Sequence, residues 1–236
     1  MEINSLNPKT IRFVEKTLEP LARYHRYEVV GLNNIPAEGP CILVFNHSFA
    51  TYDGFLFGYE FYKKRSRLLK ALGDNLIFQV PRLAKIAGEL GIYPASPEVA
   101  GELLKSGHLV GVAPGGMREA LRPSGERYQV RWAKRLGFIR LAIETGVPIV
   151  LCACPRADDI YTVYELPITK LAYKLFKVPL PIVRGMGLTL IPRPVKLVHY
   201  VSEPIYPPKY DQLTYGSSIK LFHRQVSLAM KNLLTI

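Results

Sequence analysis

The chain is short of cysteine, of tryptophan, of acidic residues relative to basic ones, and of long apolar runs. Its three cysteines, Cys41, Cys152 and Cys154, are odd in number and lie in apolar stretches. That argues against a disulfide framework and reads as buried thiols in a reducing compartment. Cys152-x-Cys154 is too closely spaced for a zinc knuckle and lacks partner ligands, so no metal site is expected. No window of about 18 uninterrupted apolar residues occurs, which speaks against a membrane-spanning helix. Met1-Glu2-Ile3-Asn4 lacks the basic-then-apolar layout of a signal peptide. The expected location is therefore intracellular, with any membrane contact peripheral, on the cytoplasmic face. Internal repeats, low-complexity tracts and the Gly-x-Ser-x-Gly of serine hydrolases are also missing.

What is present is an excess of positive charge. Lys and Arg number 31 against 19 Asp and Glu, giving a net charge of +12. Such a balance calls for an acidic partner: nucleic acid, anionic lipid headgroups or the phosphates of coenzyme A. Charge does not choose among these. The basic residues are interleaved with an apolar, aromatic profile that carries no nucleic-acid module, so nucleic acid is not the expected partner. With 236 residues, 48% of them hydrophobic, the chain has enough material for a substantial core.

Strand and helix patterns alternate along the sequence. Ile11, Val14, Leu18 and Leu21 recur at helical spacing among Lys9, Arg12, Lys16 and Arg23, predicting a basic amphipathic helix within residues 1–26. Packing on the domain is its first reading, and contact with a membrane surface is compatible with it. Residues 27–236 then form one domain. Strands are expected at 27–30, 41–45, 68–72, 91–93, 109–113, 147–153, 188–191 and 195–201. Helices are expected at 53–62, 81–88, 97–106, 132–145 and 217–234. A further helix, Pro167 to Ile182, carries Lys170, Lys174 and Lys177 and could pack on the sheet or dock at a membrane interface. The alternation predicts an α/β fold with a mixed, largely parallel sheet covered by helices.

Two segments carry chemistry. The apolar run Cys41 to Phe45 ends on Asn46 and His47, and Asp53 follows six residues after the histidine at the start of a helix. Histidine is the side chain best suited to act as a general base near neutral pH, and a carboxylate can orient it. In isolation, a His near an Asp is more often a satisfied structural histidine. The second segment, Val112-Ala113-Pro114-Gly115-Gly116-Met117-Arg118-Glu119-Ala120-Leu121, runs from a strand into a glycine turn and a charged pair. Glycines let backbone amides approach an anion, and Arg118 can grip a phosphate or carboxylate. In isolation, a tight turn with an exposed Arg/Glu pair is the plainer reading.

Together these segments resemble the motifs of the glycerolipid acyltransferases, the lysophosphatidic acid acyltransferase-like family. Asn46-His47 with Asp53 matches the first motif, and Pro114, Gly116 and Arg118 match Phe-Pro-Glu-Gly-Thr-Arg, the third. Gly146-Val147-Pro148-Ile149-Val150 matches the fourth, and the likeness extends over about residues 28–205. The resemblance implies acyl transfer from acyl-CoA or acyl carrier protein, as co-substrate, to a lipid hydroxyl, with no other cofactor. His47 would be the base and Asp53 its orienting partner. Asn46, Pro114, Gly115, Gly116, Arg118 and Glu119 would bind substrate, and an anionic membrane surface would be a partner.

The chain departs from the pattern at three places. Five residues, rather than the usual four, separate His47 from Asp53. Gly115 and Met117 stand where the third motif has glutamate and threonine, and Leu90 to Ser96 lacks the second motif's arginine, with Arg82 and Lys85 nearby. Pro-Gly-Gly-x-x-Glu-Ala-Leu looks instead like the branch related to type-two diacylglycerol acyltransferases, which acylates neutral glycerides. A non-catalytic lipid-binding protein on the same fold is the alternative.

Overall fold

The strongest strand signal in the sequence, the unbroken apolar run Cys41–Phe45, forms a strand buried on both faces at the centre of the sheet. A computed structural model describes residues 7–164 and 182–236. Nine strands are found there: β1 (Glu28–Val30), β2 (Cys41–Phe45), β3 (Leu69–Gly73), β4 (Ile92–Pro94), β5 (Leu109–Val112), β6 (Ile149–Ala153), β7 (Thr162–Tyr164), β8 (Ile182–Arg184) and β9 (Val198–Val201). Seven make one sheet in the order β1-β9-β6-β2-β5-β3-β4, and β7 and β8 pair separately. Every neighbouring pair of the large sheet is parallel except β6–β9. The expected α/β fold with a mixed, largely parallel sheet is the one observed.

Helices α1 (Pro8–Tyr24), α2 (Tyr52–Arg65), α3 (Asn75–Phe78), α4 (Pro81–Glu89), α5 (Pro97–Lys105), α6 (Gly116–Ala120), α7 (Gly137–Thr145) and α8 (Tyr215–Leu233) complete the described elements. Side chains alternate across β2 and split the core in two. Ile42 and Val44 pack with Val110, Leu151 and residues of α5, α7 and α8. Cys41, Leu43 and Phe45 pack on the other side against Phe57 and Phe61 of α2. All three cysteines are buried and unpaired.

The N-terminal helix starts on Asn7, whose side chain accepts a hydrogen bond from the Lys9 N–H at 2.9 Å. Leu18, Leu21 and Ala22 of α1 pack against a third cluster around Leu56 and Leu197, so its C-terminal half rests on the domain. Among the described residues no helix is long and apolar enough to cross a membrane. The helix expected at 167–182 lies outside the described residues apart from Ile182, which begins β8.

Two expectations need correcting. Residues 132–136 lie outside α7, which begins at Gly137. Leu188 to Ile191 is a turn rather than a strand, closed by Gly185 N–H to Thr189 O (2.7 Å) and Met186 N–H to Ile191 O (2.8 Å). Its apolar side chains point to solvent, so the usual link between apolar sequence and a buried strand fails here.

Candidate active site

Strands β2, β5, β3 and β6 are mutually parallel, so the segments that follow them leave the same edge of the sheet. In open α/β sheets that edge is where ligands bind. The segment after β2 carries Asn46 to Asp53, and the segment after β5 carries Pro114 to Glu119. The fold therefore brings together the two motifs read from sequence.

The additional residue between His47 and Asp53 is absorbed in a 3₁₀ turn, Phe49–Thr51, that precedes α2. The turn leaves Thr51 in the left-handed region, at φ 58° and ψ 28°. That conformation is costly for a β-branched residue, on the order of 1–3 kcal/mol, and such strain clusters at functional sites. Gly54 makes room, since a Cβ there would come within 2.8 Å of Thr51 Cγ2. The outcome is specific: Thr51 Oγ1 lies 2.9 Å from His47 Nδ1.

The side chain of Asp53 has partners other than His47. No hydrogen bond joins the side chains of His47 and Asp53 among the described residues. Asp53 is buried, accepts a hydrogen bond from the Ser48 hydroxyl and lies 3.3 Å from His199 Nε2. His199 in turn has Nδ1 2.8 Å from the Tyr27 hydroxyl. Burial pushes the Asp53 carboxyl up, but His199 and Ser48 outweigh it and hold it below its usual range. Asp53 still acts on His47 through its charge, which favours the protonated imidazole. Cys154 completes a trio with Asp53 and His199 whose ligand-type atoms lie within 4.8 Å of one another. Burial pushes its thiol well up, and a protonated thiol is a poor metal ligand.

His47 itself is half-buried, and its pKa falls to about 4. Desolvation is the main cause, with the Arg122 and Arg135 charges adding to it and Asp53 opposing. The imidazole is thus neutral at physiological pH, the form that a general base requires.

Asn46 and Glu119 are not on the open side of the site. Glu119 is fully buried, and its carboxylate accepts the backbone N–H of His47 (3.1 Å) and of Arg131 (2.8 Å). With the Asn46 amide turned to suit its neighbours, its NH₂ donates to Glu119 Oε1 (3.0 Å) and its oxygen accepts from Arg122 Nη2 (3.1 Å). Arg122 also donates to Asp158 Oδ2 at 2.6 and 3.0 Å. Desolvation raises both acids, Glu119 and Asp158, against the pull of their hydrogen bonds and of Arg122. Glu119 and Asn46 therefore position the His47 backbone, and their buried polar atoms are taken by protein partners rather than left for an acceptor.

The glycine turn divides in the same way. Gly115 is buried, and a Cβ on it would run into the Glu119 side chain. Gly116 has φ +56°, with the Arg135 guanidinium 2.6 Å from where its Cβ would stand. The Gly116 N–H donates to Ala113 O (3.1 Å), which removes it as an oxyanion donor. No hydrogen bond of the Gly115 N–H is found among the described residues. Pro114 is half-buried and Arg118 exposed, with no ion pair of Arg118 among those residues.

Sequence reading missed Arg122, Asp158, Thr51, His199 and Arg135. Thr51 was the most accessible of these, because an added residue in a turn has to be accommodated by some backbone irregularity. The others come together only through the fold.

Comparison with known proteins agrees with this fold. The family model described as Acyltransferase matches residues 26–154. The chain belongs to the acyltransferase family. The acyltransferase match takes in β2, β5, β6 and both motif segments. A Homo sapiens "DGAT1/2-independent enzyme synthesizing storage lipids" is 32% identical over 193 residues, covering 80% of this chain and 56% of that protein. Its Bos taurus counterpart is 33% identical over 193 residues, 80% of this chain and 55% of that one. The chain thus spans a little over half the length of these curated relatives. Among solved structures, the 1-acyl-sn-glycerophosphate (LPA) acyltransferase PlsC of Thermotoga maritima shares the fold. Its TM-score is 0.55 at 17% identity, over 94% of this chain and 79% of that one.

Proposed function

We infer that this protein moves a fatty acyl group from an acyl thioester to a lipid hydroxyl, with His47 as general base. The observation that carries this reading is a neutral, half-buried histidine at the ligand-binding edge of the sheet, with one ring nitrogen already engaged by Thr51. With Nδ1–H donating to Thr51 Oγ1, Nε2 holds the lone pair. It takes the acceptor's O–H proton while the oxygen attacks the thioester carbonyl. The tetrahedral oxyanion collapses with cleavage of the C–S bond, and the imidazolium returns its proton to the leaving thiolate. A positioned base of this kind is worth about 10²–10⁴-fold in rate.

Asp53 stabilises the imidazolium through its charge and positions the turn through Ser48. The Gly115 N–H is the candidate oxyanion donor. Exposed Arg118 and Arg135 provide positive charge for an anionic part of donor or acceptor, with acyl-CoA and acyl carrier protein both suitable as donors. Burial of Glu119 and the lack of the second motif's arginine favour a neutral glyceride acceptor over a lysophosphatidate. The relatives described as synthesizing storage lipids support the same choice. The reaction belongs at the cytoplasmic face of an anionic membrane, matching the net charge of +12.

The test is release of free thiol from acyl-CoA and from acyl carrier protein, with monoacylglycerol, diacylglycerol and lysophosphatidate offered in turn. Acceptor-dependent thiol release with acylated product supports the reading. Lipid binding with no thiol release would identify the protein as a non-catalytic binder instead.

A further inference from the structure

Two sets of large apolar side chains are exposed near the His47 segment, one on the segment that follows β3 at the same sheet edge and one beyond β8 of the two-stranded sheet. The first follows β3. Leu76, Val80, Leu83 and Ile86 are 56%, 46%, 49% and 52% exposed. In α4 the pattern of a water-soluble helix is reversed: small Ala84 and Ala87 are the more sheltered positions, and Leu83 and Ile86 face outward, with exposed Arg82 and Lys85 among them. The inward side of the preceding α3 is already occupied, since Ile77 and Phe78 lie against Gly73.

The second set lies beyond β8. The turn that corrects the expected 188–191 strand exposes Leu188 by 91%, Leu190 by 71% and Ile191 by 51%. It is a fixed projection. Besides its own hydrogen bonds, it needs Gly185, where a Cβ would run into Ile191 O. It is also anchored to the site: the Tyr161 hydroxyl donates to Leu190 O (3.2 Å), and the Tyr161 ring packs edge-on against Phe49, two residues after His47.

We propose that these two flanks form a bilayer-docking rim, which seats Leu76, Val80, Leu83 and Ile86 on one side and Leu188, Leu190 and Ile191 on the other in an anionic lipid surface. His47, half-buried at the sheet edge from which the β3 flank departs, then lies beside the lipid. The occupant is argued from three observations. Large apolar side chains are exposed on both flanks. Arg82, Lys85 and Arg118 match anionic headgroups at its boundary. The Tyr161–Phe49 contact couples one flank to the wall of the site. The proposal gives the acyl-transfer reading its lipid source, but it concerns binding and is tested without chemistry.

The experiment is co-sedimentation with vesicles of phosphatidylcholine, alone or with phosphatidylglycerol. Wild type should bind the anionic vesicles more tightly. Leu188→Asp with Leu190→Asp, and separately Leu83→Asp with Ile86→Asp, should each weaken partitioning by at least about tenfold, because burying a carboxylate replaces burying a hydrocarbon. Leu221→Asp is the control, since Leu221 is 67% exposed on α8, outside the rim. Melting temperatures identify any variant that fails to fold. A second measurement uses Trp132, the chain's one tryptophan, which is 1% exposed. Leu188→Trp should shift to the blue on vesicle addition and be quenched by brominated lipid, whereas Leu221→Trp should not. Wild-type levels of binding by folded rim variants, no vesicle binding by wild type, or equal responses of the two tryptophans would overturn the rim. A wild type that binds vesicles but releases no thiol would sink acyl transfer and leave the rim standing.

Discussion

The rear and the front of the site are built on opposite terms. Behind His47, the polar groups are buried and partnered: Glu119 with two backbone amides, Arg122 with Asp158, and Asp53 with Ser48. In front, Arg118 and Arg135 are exposed, and no acid is paired with either among the described residues. The difference separates the residues that hold the His47 backbone in place from those left open to solvent. It also explains why the third-motif positions split, with Glu119 turned inward and Arg118 outward one residue apart. A one-turn helix presents neighbouring residues to different sides.

The largest effect is expected behind the base. Arg122→Ala leaves Glu119 and Asp158 buried without their cation and should destabilise the fold by about 3–5 kcal/mol, with loss of activity. Denaturant unfolding measures it. A change below about 1 kcal/mol would show that the rear is not the rigid element described here.

Next is Thr51. Thr51→Val keeps the shape and the left-handed backbone but removes the hydroxyl that meets His47 Nδ1. The kcat should fall by about tenfold to a hundredfold, within the span of general-base effects, with little change in melting temperature. Thr51→Ser should restore most of the rate. If valine is fully active, Thr51 does not select the tautomer.

The smallest effect belongs to the front. Arg135→Gln should leave stability within about 0.5 kcal/mol, as is usual for exposed side chains. It should raise KM for an anionic substrate and move the acid limb of kcat/KM upward, because the Arg135 charge lowers the His47 pKa. In wild type that limb should lie far below the ordinary histidine value, near about 4. The sign for stability follows: between about 4 and 6.5 the unfolded chain binds more protons at this residue than the folded one, so stability rises with pH across that window. An acid limb at 6.5 or above would contradict the neutral, desolvated His47.

Much of this was legible in the sequence because it is local. The Cys41–Phe45 run was a strand at its expected bounds, and the two motif segments met at one sheet edge as parallel β2 and β5 require. Arg122–Asp158 and Asp53–His199 were not legible, because nothing in the spacing of such residues marks them as partners; the strand order β9-β6-β2-β5 brings them together. The burial of Glu119 was not legible either, because burial is invisible in a motif. Leu188 to Ile191 was misread as a strand because a pattern of apolar residues reports hydrophobicity and says nothing of whether protein or another phase covers it.

The most direct measurement is acyl transfer from labelled acyl-CoA to a dispersed glyceride by His47→Ala, at a temperature where wild type and variant are equally folded. The account predicts a fall of at least about a hundredfold in rate, with lipid binding unchanged. A variant that transfers acyl groups at the wild-type rate would contradict it.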